Sequence, residues 1–176
     1  MDQFASPNRK QNLLVNYEGD GFSLRPGTRA SESWELDLRV GSIGRQKNKL
    51  IPAHIVEPES DQRICVDADR MSVQHDGFRI DYKNNHEGMR QDFIVEQRPA
   101  GNGPLTVELR AEGDLRPTVQ GEDDVLFVHT GCETPAVWYK GLKAWDADGK
   151  ELAAHVSPFF CCLQKKSRMP ELHHLQ

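Results

Sequence analysis

From Trp34 to Val40 the chain reads Trp-Glu-Leu-Asp-Leu-Arg-Val, and this strict alternation sets Trp34, Leu36, Leu38 and Val40 on one face of a strand. The same period of two recurs at Met71 and Val73, at Phe78, Ile80 and Tyr82, and at Leu105, Val107 and Leu109. Each run is bounded by Gly, Pro, Asn or Asp, which mark strand ends. Asp76-Gly77 between two of these runs predicts a hairpin, since Gly accepts the positive φ of a primed turn. Further strands are predicted at Leu13–Tyr17, Phe22–Arg25, Lys49–Val56, Gln91–Gln97, Val125–Thr130, Ala136–Trp145 and Lys150–Val156. No window sustains the i, i+3, i+4, i+7 spacing of an amphipathic helix with its caps, so little helix is expected. About ten short strands with frequent turns predict an all-β, antiparallel β-sandwich or strongly curved sheets.

Beyond Pro158 the alternation stops, and Lys165, Lys166 and Arg168 crowd together. Residues 158–176 are therefore expected to be an irregular C-terminal tail, read either as a mobile terminus or as the product of a truncated or shifted reading frame, after a single β-rich domain at 7–157. The chain of 176 residues is long enough for one core. Its net charge of -5 argues against phosphate recognition, so nucleic acid is not an expected partner. No apolar run reaches the roughly 18–20 residues of a membrane-spanning helix. Residues 1–10 lack the basic and apolar regions of a secretory signal, which by itself predicts a chain that stays in the cytoplasm.

Few residues offer chemistry. Asp92 with Asp81 or Glu96 could be read as an acid–base carboxylate pair of a hydrolase, but on a strand Asp92 points away from Phe93. An outward Asp92 paired with Arg90 is the simpler expectation, so no catalytic residue is assigned. Asp146, Asp148 and Glu151 have oxygen ligands near Gly149, yet the longer carboxylate series of a calcium loop is missing and a hairpin turn is expected. Cys161-Cys162 and His173-His174 are zinc-type ligands at the wrong spacing. No metal or other cofactor is expected. Trp138, Tyr139 and Trp145 are the candidate ligand-binding residues, because exposed aromatics on a sheet can stack on sugar rings or anchor a partner. If one strand ran through them, Trp145 would share a face with Tyr139 and Trp138 would face the other way.

Four stretches carry a family resemblance. They are Pro7-Asn8-Arg9-Lys10-Gln11 with Val15-Asn16-Tyr17 and Gly19 to Leu24; Gly88 to Val95 with Pro99-Ala100-Gly101; Leu105 to Gly113; and Pro135 to Tyr139 with Gly141 and Asp146 to Lys150. Over about residues 7–157 the chain resembles an uncharacterised β-rich domain. That domain lies at the amino-terminal end of bacterial surface and secreted proteins that continue into SBBP-type β-propeller repeats, PKD or immunoglobulin-like modules. The resemblance implies a secreted or cell-surface location and a non-enzymatic structural or adhesive role. The implied partners are downstream repeat domains, another protein or a glycan. A carbohydrate-binding module built on Trp138, Tyr139 and Trp145 is the alternative expectation.

Overall fold

The structure, a computed structural model, describes residues 4–45, 48–50, 64–67, 70–157 and 168–175, with only the backbone at 48–49, 64–65, 67 and 168–175. The described residues form strands and turns and no helix. In chain order the strands are β1 (Phe4–Asn8), β2 (Leu13–Glu18), β3 (Gly21–Pro26), β4 (Leu36–Arg45), β5 (Asn48–Leu50) and β6 (Ile64–Asp67). Next come β7 (Arg70–Gln74), β8 (Phe78–Asn85), β9 (Gly88–Val95), β10 (Leu105–Gly113), β11 (Leu115–Gln120) and β12 (Asp124–His129). The last are β13 (Pro135–Tyr139), β14 (Ala144–Trp145), β15 (Glu151–Leu152), β16 (His155–Ser157) and β17 (Arg168–Leu175). The described pairings between these strands are antiparallel.

The chain divides into two compact units, Met1–Ser33 with Pro52–Arg98, and Trp34–Ile51 with Pro99–Gln176. The first holds the meander β1–β2–β3 and the four-stranded meander β6–β7–β8–β9. Alternation sends Val15, Tyr17, Phe22 and Leu24 inward from one meander and Met71, Val73, Phe78, Ile80 and Tyr82 from the other. They meet in sandwich fashion: the Tyr82 ring lies 5.0 Å from Tyr17 and edge-on to Phe22 at 6.1 Å. Burial of each such side chain contributes about 1.5–3 kcal/mol.

A polar cluster joins the same two meanders. Asn8, only 4% exposed, donates from Nδ2 to Asn84 Oδ1 and to the Asn85 carbonyl, each at 2.8 Å. Its Oδ1 accepts the Gln11 N–H at 3.0 Å, and Asn84 Nδ2 donates to Ser6 Oγ at 2.8 Å. Every polar atom of the Asn8 amide thus has a partner, which is the condition for burying it at little cost.

In the second unit β10 is paired with β4 on one side and β17 on the other, with β16 beyond β17 and β5 on β4. Trp34, Leu36, Leu38 and Val40 are all buried on one face, as the alternation predicts. Leu105, Val107, Leu109 and Ala111 of β10 join them. Beside these lie the three-stranded sheet β11–β12–β13 and the two-stranded β14–β15.

Two sequence-based expectations differ from this architecture at the level of single elements. Within the expected tail, Arg168–Leu175 is a strand held between β10 and β16, and backbone hydrogen bonds to two neighbours need no side-chain alternation. Its register against β10 shifts between Glu108 and Arg110, opposite Pro170, which has no N–H to give. Finally, the Asp76-Gly77 hairpin forms, closed by His75 N–H to Phe78 O at 2.9 Å, but only Gly77 has positive φ (83°), so the turn is not primed. The remainder of the predicted strand Lys49–Val56 beyond Leu50 lies outside the described residues.

Candidate functional site

The segment predicted as one strand from Ala136 to Trp145 is broken. β13 ends at Tyr139, Gly141 takes φ 75°, and its N–H donates to Asp124 Oδ1 at 2.9 Å while Leu142 N–H reaches the Asp123 carbonyl at 3.2 Å. These bonds turn the chain out of the β11–β12–β13 sheet, and Trp145 begins again in β14. The face parity assumed between Tyr139 and Trp145 is therefore lost, since it holds only along an unbroken strand.

The three candidate aromatics have different surroundings. Trp138, 50% exposed, lies across from Leu126 on the outer face of its sheet. Tyr139 lies across from the fully buried Val125 on the opposite face and is half-buried. Trp145, 47% exposed, stands directly across from Glu151 of β15, so the two side chains share one face of that hairpin.

Glu151 in turn helps to line an open cleft of about 330 Å³, together with Glu122, Asp123, Lys143 and Leu152. The Val156 N–H to Glu122 O bond, at 2.6 Å, and the Leu142 bond to Asp123 O tie the three contributing segments together. The cleft is thus a polar hollow rich in acceptors, with one ammonium among its walls and a half-exposed indole across the hairpin from Glu151. Trp145 itself is not among the residues that line the cleft. Apart from Glu151, these wall residues carry no sequence signal: they come from three segments, and only the fold brings them together.

The turn joining β14 to β15 uses Asp146 structurally. Its Oδ1 accepts the N–H groups of Asp148 at 3.0 Å and Lys150 at 2.9 Å, and Gly149 takes φ 78°. Among the described residues no group of three or more His, Cys, Asp or Glu is arranged to hold a metal ion. Cys161 and Cys162 lie outside the described residues, as do the side chains of His173 and His174.

Asp81 and Asp92 are indeed brought face to face, as cross-strand partners on β8 and β9. Each is held by an arginine two residues earlier on its own strand: Arg79 reaches Asp81 at 2.8 and 3.2 Å, and Arg90 reaches Asp92 at 2.8 Å. Glu96 pairs with Arg79 at 3.6 Å. Hydrogen bonding to Asp81 raises the Arg79 pKa further above its already high ordinary value. The arginines offset the like charge of the two facing carboxylates, and such partly exposed ion pairs stabilise the sheet only modestly. His75 is buried and its ring stacks on Phe78 at 4.6 Å.

Comparison with family models, curated proteins and solved structures finds no match to this chain.

Proposed function

We propose that this chain is a non-enzymatic binding module of the adhesive kind its sequence resemblance implies, part of a bacterial surface or secreted protein, and that its ligand is a carbohydrate. The observation that carries this reading is Trp145, half-exposed on a two-stranded hairpin and across from the cleft residue Glu151. A pyranose stacks its C–H face on an indole, and Glu122, Asp123, Glu151 and Lys143 would accept from or donate to its hydroxyls. One stacking contact is worth about 0.5–1.5 kcal/mol beyond area burial, so a single site of this kind binds weakly, with Kd on the order of 0.1–1 mM.

The test is a panel of soluble glycans read by tryptophan emission and melting temperature. A binding glycan raises Tm by mass action and perturbs emission. Trp145→Ala is expected to weaken it about tenfold with the fold intact. Glycan binding left unchanged by Trp145→Ala, or no binding across the panel, overturns the reading.

A further inference from the structure

The side-chain amide of an asparagine is a latent electrophile, because the backbone nitrogen of the next residue can close a five-membered ring on it and expel ammonia. Ring closure needs a following residue without a Cβ in the way, an amide not tied up in hydrogen bonds, and a backbone not held in a strand ladder. Six of the seven asparagines of the chain fail these conditions, and each of the six is followed by a residue with a side chain. Asn8 is 4% exposed with its amide fully bonded, and Asn84 is bonded to Asn8 and Ser6. Asn12 Oδ1 accepts the Arg29 N–H at 3.4 Å, and Asn85 Oδ1 accepts the Glu87 N–H at 2.9 Å. Asn16 lies in the middle strand of β1–β2–β3, and Asn48 is paired across from Arg45 in β4–β5. Asn102 meets all three conditions. It heads the single Asn-Gly step of the chain and lies exposed between β9 and β10. Neither its amide nor the Gly103 N–H has a hydrogen-bond partner among the described residues. What is fixed instead is the Gly103 carbonyl, which accepts from Arg45 Nη1. A guanidinium there favours the anionic form of the Gly103 nitrogen, which is the form that attacks.

We infer that Asn102 is a self-modifying site, converting to aspartate and isoaspartate with water as the only co-reactant. The Gly103 nitrogen gives its proton to solvent and attacks Asn102 Cγ. The Cγ–Nδ2 bond then breaks, and the amide nitrogen takes a proton from water and leaves as ammonia. The succinimide that remains adds water. Cleavage of the new Cγ–N bond restores the ordinary main chain with an aspartate, whereas cleavage of the original peptide C–N bond leaves the chain running through Cβ and Cγ as isoaspartate. Either product makes the net charge of -5 more negative by one and sets a carboxylate one residue from the carbonyl that Arg45 holds. The isoaspartate form also lengthens the main chain by one carbon just ahead of β10, the strand between β4 and β17. The site shares no residue with Trp145 or the cleft, so it stands or falls independently of glycan binding.

Incubation of the full chain in neutral and mildly alkaline buffer, folded and in urea, followed by peptide mass mapping over days, tests it. The peptide holding Asn102 is expected to gain about 1 Da, with isoaspartate detected by enzymatic methylation. The gain should be faster at higher pH and at least as fast in the folded chain as in urea, while Asn85 should react only in urea. Gly103 takes no positive φ, so alanine fits its backbone, and Gly103→Ala should slow the gain about tenfold or more with circular dichroism unchanged. No mass gain at Asn102 overturns the inference, as does protection of Asn102 by the fold of about tenfold or more relative to urea. A Gly103→Ala variant that reacts as fast as the parent, or an Asn85 that keeps pace with Asn102 in the folded chain, overturns it too.

Discussion

Replacing Gly113 by alanine is expected to destabilise the second unit far more than one methyl group suggests. Gly113 ends β10 at φ 113°, outside the regions open to residues with a Cβ, which costs about 1–3 kcal/mol. A Cβ there would also be driven into the Glu35 carbonyl oxygen and sit 3.0 Å from its carbonyl carbon. Both obstacles are backbone, so neither can swing aside. Relief requires the two segments to part, and that strains a reciprocal pair of bonds: Asp114 N–H to Glu35 O at 2.9 Å and Glu35 N–H to Asp114 Oδ2 at 2.9 Å. At about 1 kcal/mol each, these bring the total to about 3–5 kcal/mol. Gly121→Ala is the control, because its φ of 72° lies in the left-handed helical region and nothing stands within 4 Å of the added Cβ. It should cost about 1 kcal/mol. Urea unfolding followed by circular dichroism reads the difference. With a slope of about 2–3 kcal/mol/M, Gly113→Ala should lower the midpoint by about 1.5 M and Gly121→Ala by less than about 0.5 M. Equal shifts in the two variants would refute the crowding argument.

Two further outcomes are expected. Burial of the Tyr17 phenol raises its pKa from 10.0 to about 12, against a smaller lowering by its hydrogen bond to Ser6. Above pH 10 the unfolded chain releases this proton while the folded one keeps it, so stability is whole below pH 10 and falls by up to about 2–3 kcal/mol as pH rises to about 12. Tyr17→Phe should flatten that fall, and a phenolate titration curve without a late-titrating tyrosine would contradict it. Asn8→Ala should cost about 1–3 kcal/mol in thermal unfolding, because it removes the hydrogen bonds of a buried amide to the half-buried Asn84 and Asn85 acceptors and to the Gln11 N–H; a loss below about 0.5 kcal/mol would show that water replaces the amide.

Much of the fold is written locally. The alternation of Trp34 to Val40 and of Phe78 to Tyr82 names the buried face correctly, because pleating makes burial a property of position parity within one strand. Asp76-Gly77 and Asp146 to Gly149 mark their turns, since a positive φ is a demand on a single residue. The i, i+2 pairing of Arg90 with Asp92 is equally local.

What the chain does at a distance was decided by the tertiary structure alone. Which strands are neighbours, and hence the division into two units and the placing of 168–175 between β10 and β16, depends on backbone pairing that any extended segment can enter. The break between Tyr139 and Ala144 depends on hydrogen bonds to Asp123 and Asp124, residues well separated in sequence that no pattern near Trp145 announces. So the sequence by itself determined that these aromatics lie on strands. Only folding decided that Trp138 stands across from Leu126 on the outer face of its sheet and Trp145 across from a cleft wall, because a site is a meeting of segments and periodicity describes one segment at a time.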